Sequence, residues 1–133
     1  MSIAELYNIA RRSIGNHVDP AYAFEFKHPD TKEIIAIAHN LTELLVYLEQ
    51  EDYDLIKHHY YRITNRHLDG TSNGEQQRSD IALWIQYILG DDLLATKIWE
   101  LRNSNFTKLH SDLIQVIKER HEELQRILQT GNA

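Results

Sequence analysis

Apolar positions along the chain change period twice, and each change marks a change of element. Leu6, Ile9 and Ala10 recur at helical spacing behind Ser2-Ile3-Ala4-Glu5. That start is an S-x-x-E capping box, in which hydroxyl and carboxylate satisfy the free amides of a first turn, so a helix is predicted over 3–13, ended by Gly15-Asn16. Tyr22, Phe24 and Phe26 then alternate with Ala23, Glu25 and Lys27, a period of two that predicts a strand with three aromatics on one face. His28-Pro29-Asp30-Thr31 reads as a turn, because proline presets its φ and aspartate bonds the backbone two residues on. Residues 32–38 then return as the second strand of an antiparallel hairpin.

From Asn40 the period becomes 3.6. Asn40 is a cap, Glu43 its third position, and Leu41, Leu44, Leu45 and Leu48 mark a short amphipathic helix. Asp52 or Asp54 can cap a further helix running to about 67, with Leu55, Ile56, His59, Tyr60 and Ile63 inward. Residues 69–78, DGTSNGEQQR, are polar and carry two glycines, and they read as a loop. Ser79 then caps a helix with Ile81, Trp84, Ile85, Ile88 and Leu89 on one stripe, and Gly90 stands where a left-handed C-terminal residue is wanted. Asp91 caps the next helix, with Leu93, Leu94, Ile98 and Leu101 apolar, and a long final helix is predicted over 108–129. Strands followed by helices predict an α+β fold. The expected plan is one domain over 1–133: an N-terminal helix and linker (1–20), a small antiparallel β-hairpin (21–39), and a layer of four or five helices (40–129) interrupted by the polar loop. A two-stranded hairpin is marginal alone, so the leucine helix is expected to seal Tyr22, Phe24 and Phe26 beneath it.

Fourteen basic against twenty acidic residues leave a formal charge of −6, which disfavours broad nucleic-acid or anionic-lipid binding, although protonating the eight histidines would reverse the sign. The chain has no cysteine, so thiol nucleophiles and Cys-ligated zinc are excluded. No apolar run approaches the ~18 residues of a membrane span, and the start lacks the order of a signal peptide. A cytoplasmic protein with no membrane association is expected. No H-E-x-x-H, EF-hand or glycine-rich phosphate loop occurs, so neither a metal nor a cofactor is expected.

Several segments share their order with an uncharacterised prokaryotic family of small domains of unknown function. Phe24-Glu25-Phe26 resembles its F-x-F strand, 41–48 its leucine-rich helix, and 55–58, followed by His59 and Tyr60, its S-[IL]-x-x-H segment, with Asp54 where serine is usual. Residues 80–85 are similar to its D-F-x-x-W-[IV], with Ile81 in place of an aromatic, and Leu89-Gly90-Asp91 with Leu94-Ala95 to L-G-D-x-x-L-A. The likeness spans 22–124 and implies a fold and a set of positions; it brings no reaction with it.

Candidate chemistry concentrates in KHHYYRITNRH, 57–67. On a helix, His58, Arg62 and Arg66 would share one face, a cationic ridge able to hold phosphate or carboxylate with help from Asn65, while Tyr61 and Tyr60 offer stacking surfaces. Cations near a helix C-terminus also simply suit the macrodipole, so a solvated face is the plainer reading. His58 and Asp80 are expected on adjacent helices, where a carboxylate-oriented histidine would be a general base, or merely a satisfied half-buried pair. Trp84 fits the core; Trp99 lies on the border of an apolar face. Packing dominates over convergent polar groups. The leading expectation is therefore a non-catalytic binding or regulatory module acting on a protein partner or a second copy of itself. The alternative is an anion, nucleotide or nucleic-acid site on the His58/Arg62/Arg66 face, as in a His/Asp-assisted phosphoester hydrolase.

Overall fold

A computed structural model describes residues 2–51, 59, 62–64, 76–101 and 106–131. Helix α1, Ile3–Ala10, starts as its cap predicts, with Ser2 Oγ accepting the Glu5 amide at 3.1 Å. It widens into a π turn over Arg11–Gly15 before the chain straightens at Asn16. Next, the Val18 amide donates to the His39 carbonyl at 2.8 Å, tying the linker to the far end of the hairpin.

Tyr22 corrects the expected strand. Pro20 occupies the first turn of a 3-10 segment, Pro20–Tyr22, and Asp19 Oδ1 accepts the Ala21 amide at 2.9 Å. That local turn takes Tyr22 off the aromatic face and leaves its side chain exposed. Strand β1, Phe24–Lys27, therefore begins later, and it pairs antiparallel with β2, Ile34–Ala38. Phe24 and Phe26 are buried, opposite Ala38 and Ala36, and these small partners leave room above the rings. A bulge follows Phe26, and Lys32, in the turn, has a positive φ of 64°.

Helix α2, Leu41–Gln50, fills that room. Asn40 Oδ1 accepts the Glu43 amide, and Glu43 Oε1 accepts the His39 amide in return, so two free donors are satisfied reciprocally. Leu41, Leu44 and Leu48 are buried, and the Tyr47 ring meets Phe26 edge-on with centroids 6.1 Å apart. Burying each such side chain stabilises the fold by about 1.5–3 kcal/mol. Of the three expected aromatics, Phe26 thus meets the leucine helix through Tyr47, while Phe24 packs against His59 and Trp84.

The helix expected to run to about 67 does not. Arg62–Thr64 forms strand β3, antiparallel to β4, Gln76–Arg78, which occupies the end of the expected polar loop. A second small hairpin therefore stands where one helical face was predicted. Ser79 Oγ then caps α3, Asp80–Trp84, through the Ala82 amide, and the helix ends in a π turn, Ile85–Leu89. Gly90 follows at φ 72°, the left-handed stop that the sequence predicts. Asp91 caps α4, Asp92–Glu100, through the Leu94 amide at 3.2 Å. Leu94, Ala95 and Ile98 face the core, whereas Leu93, expected with them, is exposed. Helix α5, Phe106–Gly131, crosses α1, α2 and α4 and buries Leu109, Leu113, Ile117 and Leu124. The architecture is α+β: an N-terminal helix, a two-stranded antiparallel sheet, then helices. No helix among the described residues is long and apolar enough to cross a membrane.

Candidate functional site

The histidine that meets Asp80 is His59. Its Nδ1 lies 3.2 Å from Asp80 Oδ2, while its Nε2 accepts the backbone amide of Lys27 at 3.1 Å. A ring nitrogen that accepts an N–H carries no hydrogen of its own, so the network assigns the neutral tautomer with hydrogen on Nδ1, donated to Asp80. The ring is 5% exposed and meets Phe24 and Phe26 edge-on, with centroids 5.3 and 5.7 Å away. Phe24 also meets Trp84 edge-on, and the Trp84 indole donates to the Tyr22 carbonyl at 2.7 Å. His59 therefore fastens an edge of β1 to the start of α3. Its basic lone pair is already used by a main-chain donor, which makes it a poor general base and a good clamp.

Beside this clamp opens a cleft of about 380 Å³, lined by Ala23, Phe24, Glu25, Lys27, Lys32, His59, Asp80 and Trp84. Among the described residues its charged groups are two lysines and two carboxylates. Lys27 Nζ lies 3.8 Å from Glu25 Oε1, and Lys32 Nζ donates to the Pro29 carbonyl at 2.8 Å.

Of the residues named for chemistry, Asp80 is in the cleft wall and Arg62 lies on β3, three positions from His59. His58, Tyr61, Asn65 and Arg66 lie outside the described residues. Arg62 stands in a strand rather than on the helical face expected for it. Three participants, His59, Lys27 and Lys32, are not among the residues that the sequence marks for chemistry. His59 carries a signal, since the apolar spacing puts it inward. Lys27 and Lys32 flank a turn and give none. Among the described residues no group of three or more histidine or acidic side chains is arranged to hold a metal ion.

The L-G-D segment is consumed by structure. The Leu89 carbonyl accepts Arg12 Nε at 3.0 Å, and a Cβ on Gly90 would stand 2.7 Å from Arg12 Nη2. Asp91 receives Arg120 through both oxygens, Nε at 2.8 Å and Nη2 at 3.0 Å, while Glu123 takes Nη1. Burial alone would loosen the Arg120 proton; the hydrogen bonds and charges of Asp91 and Glu123 outweigh it and hold the guanidinium more firmly protonated than usual. Arg12 and Arg120 thus pin the α3–α4 corner to α1 and α5.

A second polar cluster sits at the start of α2. Glu43 Oε1 lies 2.8 Å from His39 Nδ1, and Oε2 lies 3.6 Å from His17 Nε2. Burial pushes the Glu43 carboxyl up, but the hydrogen bonds of His39 and the charges of His39 and His17 prevail and hold it below the usual carboxylate range. On α5, His121 Nε2 lies 2.7 Å from Thr42 Oγ1, and burial lowers its pKa against the opposing charge of Glu122.

An apolar concavity lies elsewhere. Ile3, Ala4, Leu6 and Tyr7 of α1 and Ile127 and Thr130 of α5 enclose about 610 Å³.

A model of a family of unknown function, DUF5752, matches residues 22–132, beginning where the resemblance begins and running past its end. No curated protein and no solved structure matches the chain.

Proposed function

We propose that this chain, which belongs to the family of unknown function DUF5752, is a non-catalytic binding module that acts through protein–protein contacts, with a second copy of itself as the first partner. The observation that carries the reading is the groove between α1 and α5, whose lining is aliphatic and aromatic apart from Thr130. Ile3 stands at its lip with 82% of its surface exposed. A projecting apolar side chain beside an apolar hollow on the same face is what a two-fold contact requires, since each copy can place its knob in the other's hole. Against catalysis stands the engagement of both His59 nitrogens. The absence of cysteine suits the reducing cytoplasm in which such a module would work.

Sedimentation velocity over a wide concentration range tests this. Wild type is expected to approach twice the 15.6 kDa chain mass as concentration rises. Ile3→Lys, on a side chain that contributes little to the fold, is expected to stay at the chain mass with unchanged thermal stability. A wild type that stays monomeric throughout, or an Ile3→Lys variant that dimerises equally, would contradict the reading.

A further inference from the structure

The family match begins at residue 22, whereas α1 and its π turn end at Gly15. The surface they cover lies inside the match: α5, which crosses α1, and the Gly90 corner between α3 and α4. Seat and occupant thus belong to different parts of the chain. The seat has a specific feature. The last carbonyls of a helix that stops at a left-handed glycine are open to outside donors, and the Leu89 carbonyl takes Arg12 Nε at 3.0 Å. Gly90 makes room for that arginine, since a Cβ there would stand 2.7 Å from Arg12 Nη2.

The occupant fits its seat poorly. Ile9 and Ala10 are buried, yet α1 and α5 leave an apolar hollow of about 610 Å³ between them, into which Ala4 brings a single methyl group. Ser13 is fully buried, and its hydroxyl has no hydrogen-bond partner among the described residues. A void and an orphaned hydroxyl both oppose the packing that creates them, and a well-matched helix would have neither.

We propose that the face of α5 and the Gly90 corner form a seat for an amphipathic helix of a partner protein, which α1 fills in cis and yields by displacement. The chemistry of that partner follows from what α1 does well and badly. It has an arginine in the place of Arg12, aliphatic side chains in the places of Ile9 and Ser13, and a bulkier aliphatic one in the place of Ala4. Because α1 is tethered, it competes at an effective concentration of about a millimolar, so only a better-fitting helix displaces it. The proposal shares the binding-module reading but not the two-fold contact, which sedimentation tests separately, so either can fail alone.

The probe is a fluorescein-labelled peptide of residues 1–19, titrated by anisotropy against the full chain carrying Ile9→Asp, which loosens its own α1. Saturable binding is expected, at least ~10-fold tighter than to the wild-type chain, whose α1 stays seated. Arg12→Ala in the peptide is expected to weaken binding about threefold to tenfold, because the Leu89 carbonyl loses a charged donor. Ala4→Leu/Ser13→Ala in the peptide is expected to tighten it by about tenfold. Native-state hydrogen exchange of the wild-type chain decides the matter should the Ile9→Asp chain not fold. The Ile9 and Ala10 amides are expected to exchange through an opening at least ~10-fold more populated than the one that exposes Leu113 and Ile117. No saturable binding to a folded Ile9→Asp chain, equal binding to variant and wild type, peptide variants that bind as their parent does, or α1 amides that open only together with those of α5 would overturn the proposal.

Discussion

The imidazole of His59 joins two elements far apart in sequence: it takes the Lys27 amide on Nε2 and gives its own hydrogen to Asp80 from Nδ1. Both bonds are made by a side chain packed among aromatic edges, so neither exchanges freely with water. His59→Ala removes the acceptor from a strand amide and opens a cavity beside Phe24 and Phe26. The expected loss is about 2–4 kcal/mol in urea unfolding. Asp80→Asn keeps an acceptor for Nδ1–H, so it is expected to cost less than half as much.

The Arg120–Asp91 pair is buried, at 4% and 0% exposure, and two hydrogen bonds run between the side chains. Removing one member leaves the other's charge in the interior, which costs about 3–5 kcal/mol. Asp91→Ala is expected to lose more than Arg120→Met, because it also removes the cap from α4. Chemical denaturation of both variants and of the double variant gives the coupling directly; a coupling near zero would contradict the geometry.

Caps and sheet pairing show what could be read in advance. Ser2, Asn40, Ser79 and Asp91 were legible because each bonds an amide three residues on, within one stretch of sequence. Gly90 was legible because a left-handed stop selects glycine. Arg62-Ile63-Thr64 misled because Ile63 continues the spacing of Ile56, His59 and Tyr60, and only pairing with the polar Gln76–Arg78 makes it a strand. The α+β class survived that error. The His59–Asp80 contact was not legible, because the partner that orients the ring is a main-chain amide, and a main-chain donor leaves no mark in composition.

Ser13 is fully buried, and its hydroxyl finds no hydrogen-bond partner among the described residues. A hydroxyl without a partner costs about 1–3 kcal/mol of desolvation. Ser13→Ala is therefore expected to be neutral or to stabilise by up to about 1 kcal/mol, seen as a raised thermal midpoint. A clear loss of stability would mean that the hydroxyl is satisfied.

Stability is expected to fall on acidification in two stages. His121 and His110 have pKa values lowered by burial from 6.5, so the fold favours their neutral forms. Their contribution is present above pH 6.5 and is lost as pH drops through their folded values. Glu43 is held below 4.5, so its contribution is present above pH 4.5 and disappears as pH drops through its own folded value. Urea midpoints of Glu43→Gln and wild type should converge at the acid end. His121→Gln, which retains an acceptor and a donor for Thr42, should flatten the first stage.

The hydrogen position on His59 tests the account most directly. Long-range proton–nitrogen correlation spectra of labelled protein at neutral pH are expected to show a protonated Nδ1 and an unprotonated Nε2 with the shift of a hydrogen-bond acceptor. Hydrogen on Nε2 would contradict the clamp, because the Lys27 amide could not then donate to it, and would return His59 to the candidates for a general base.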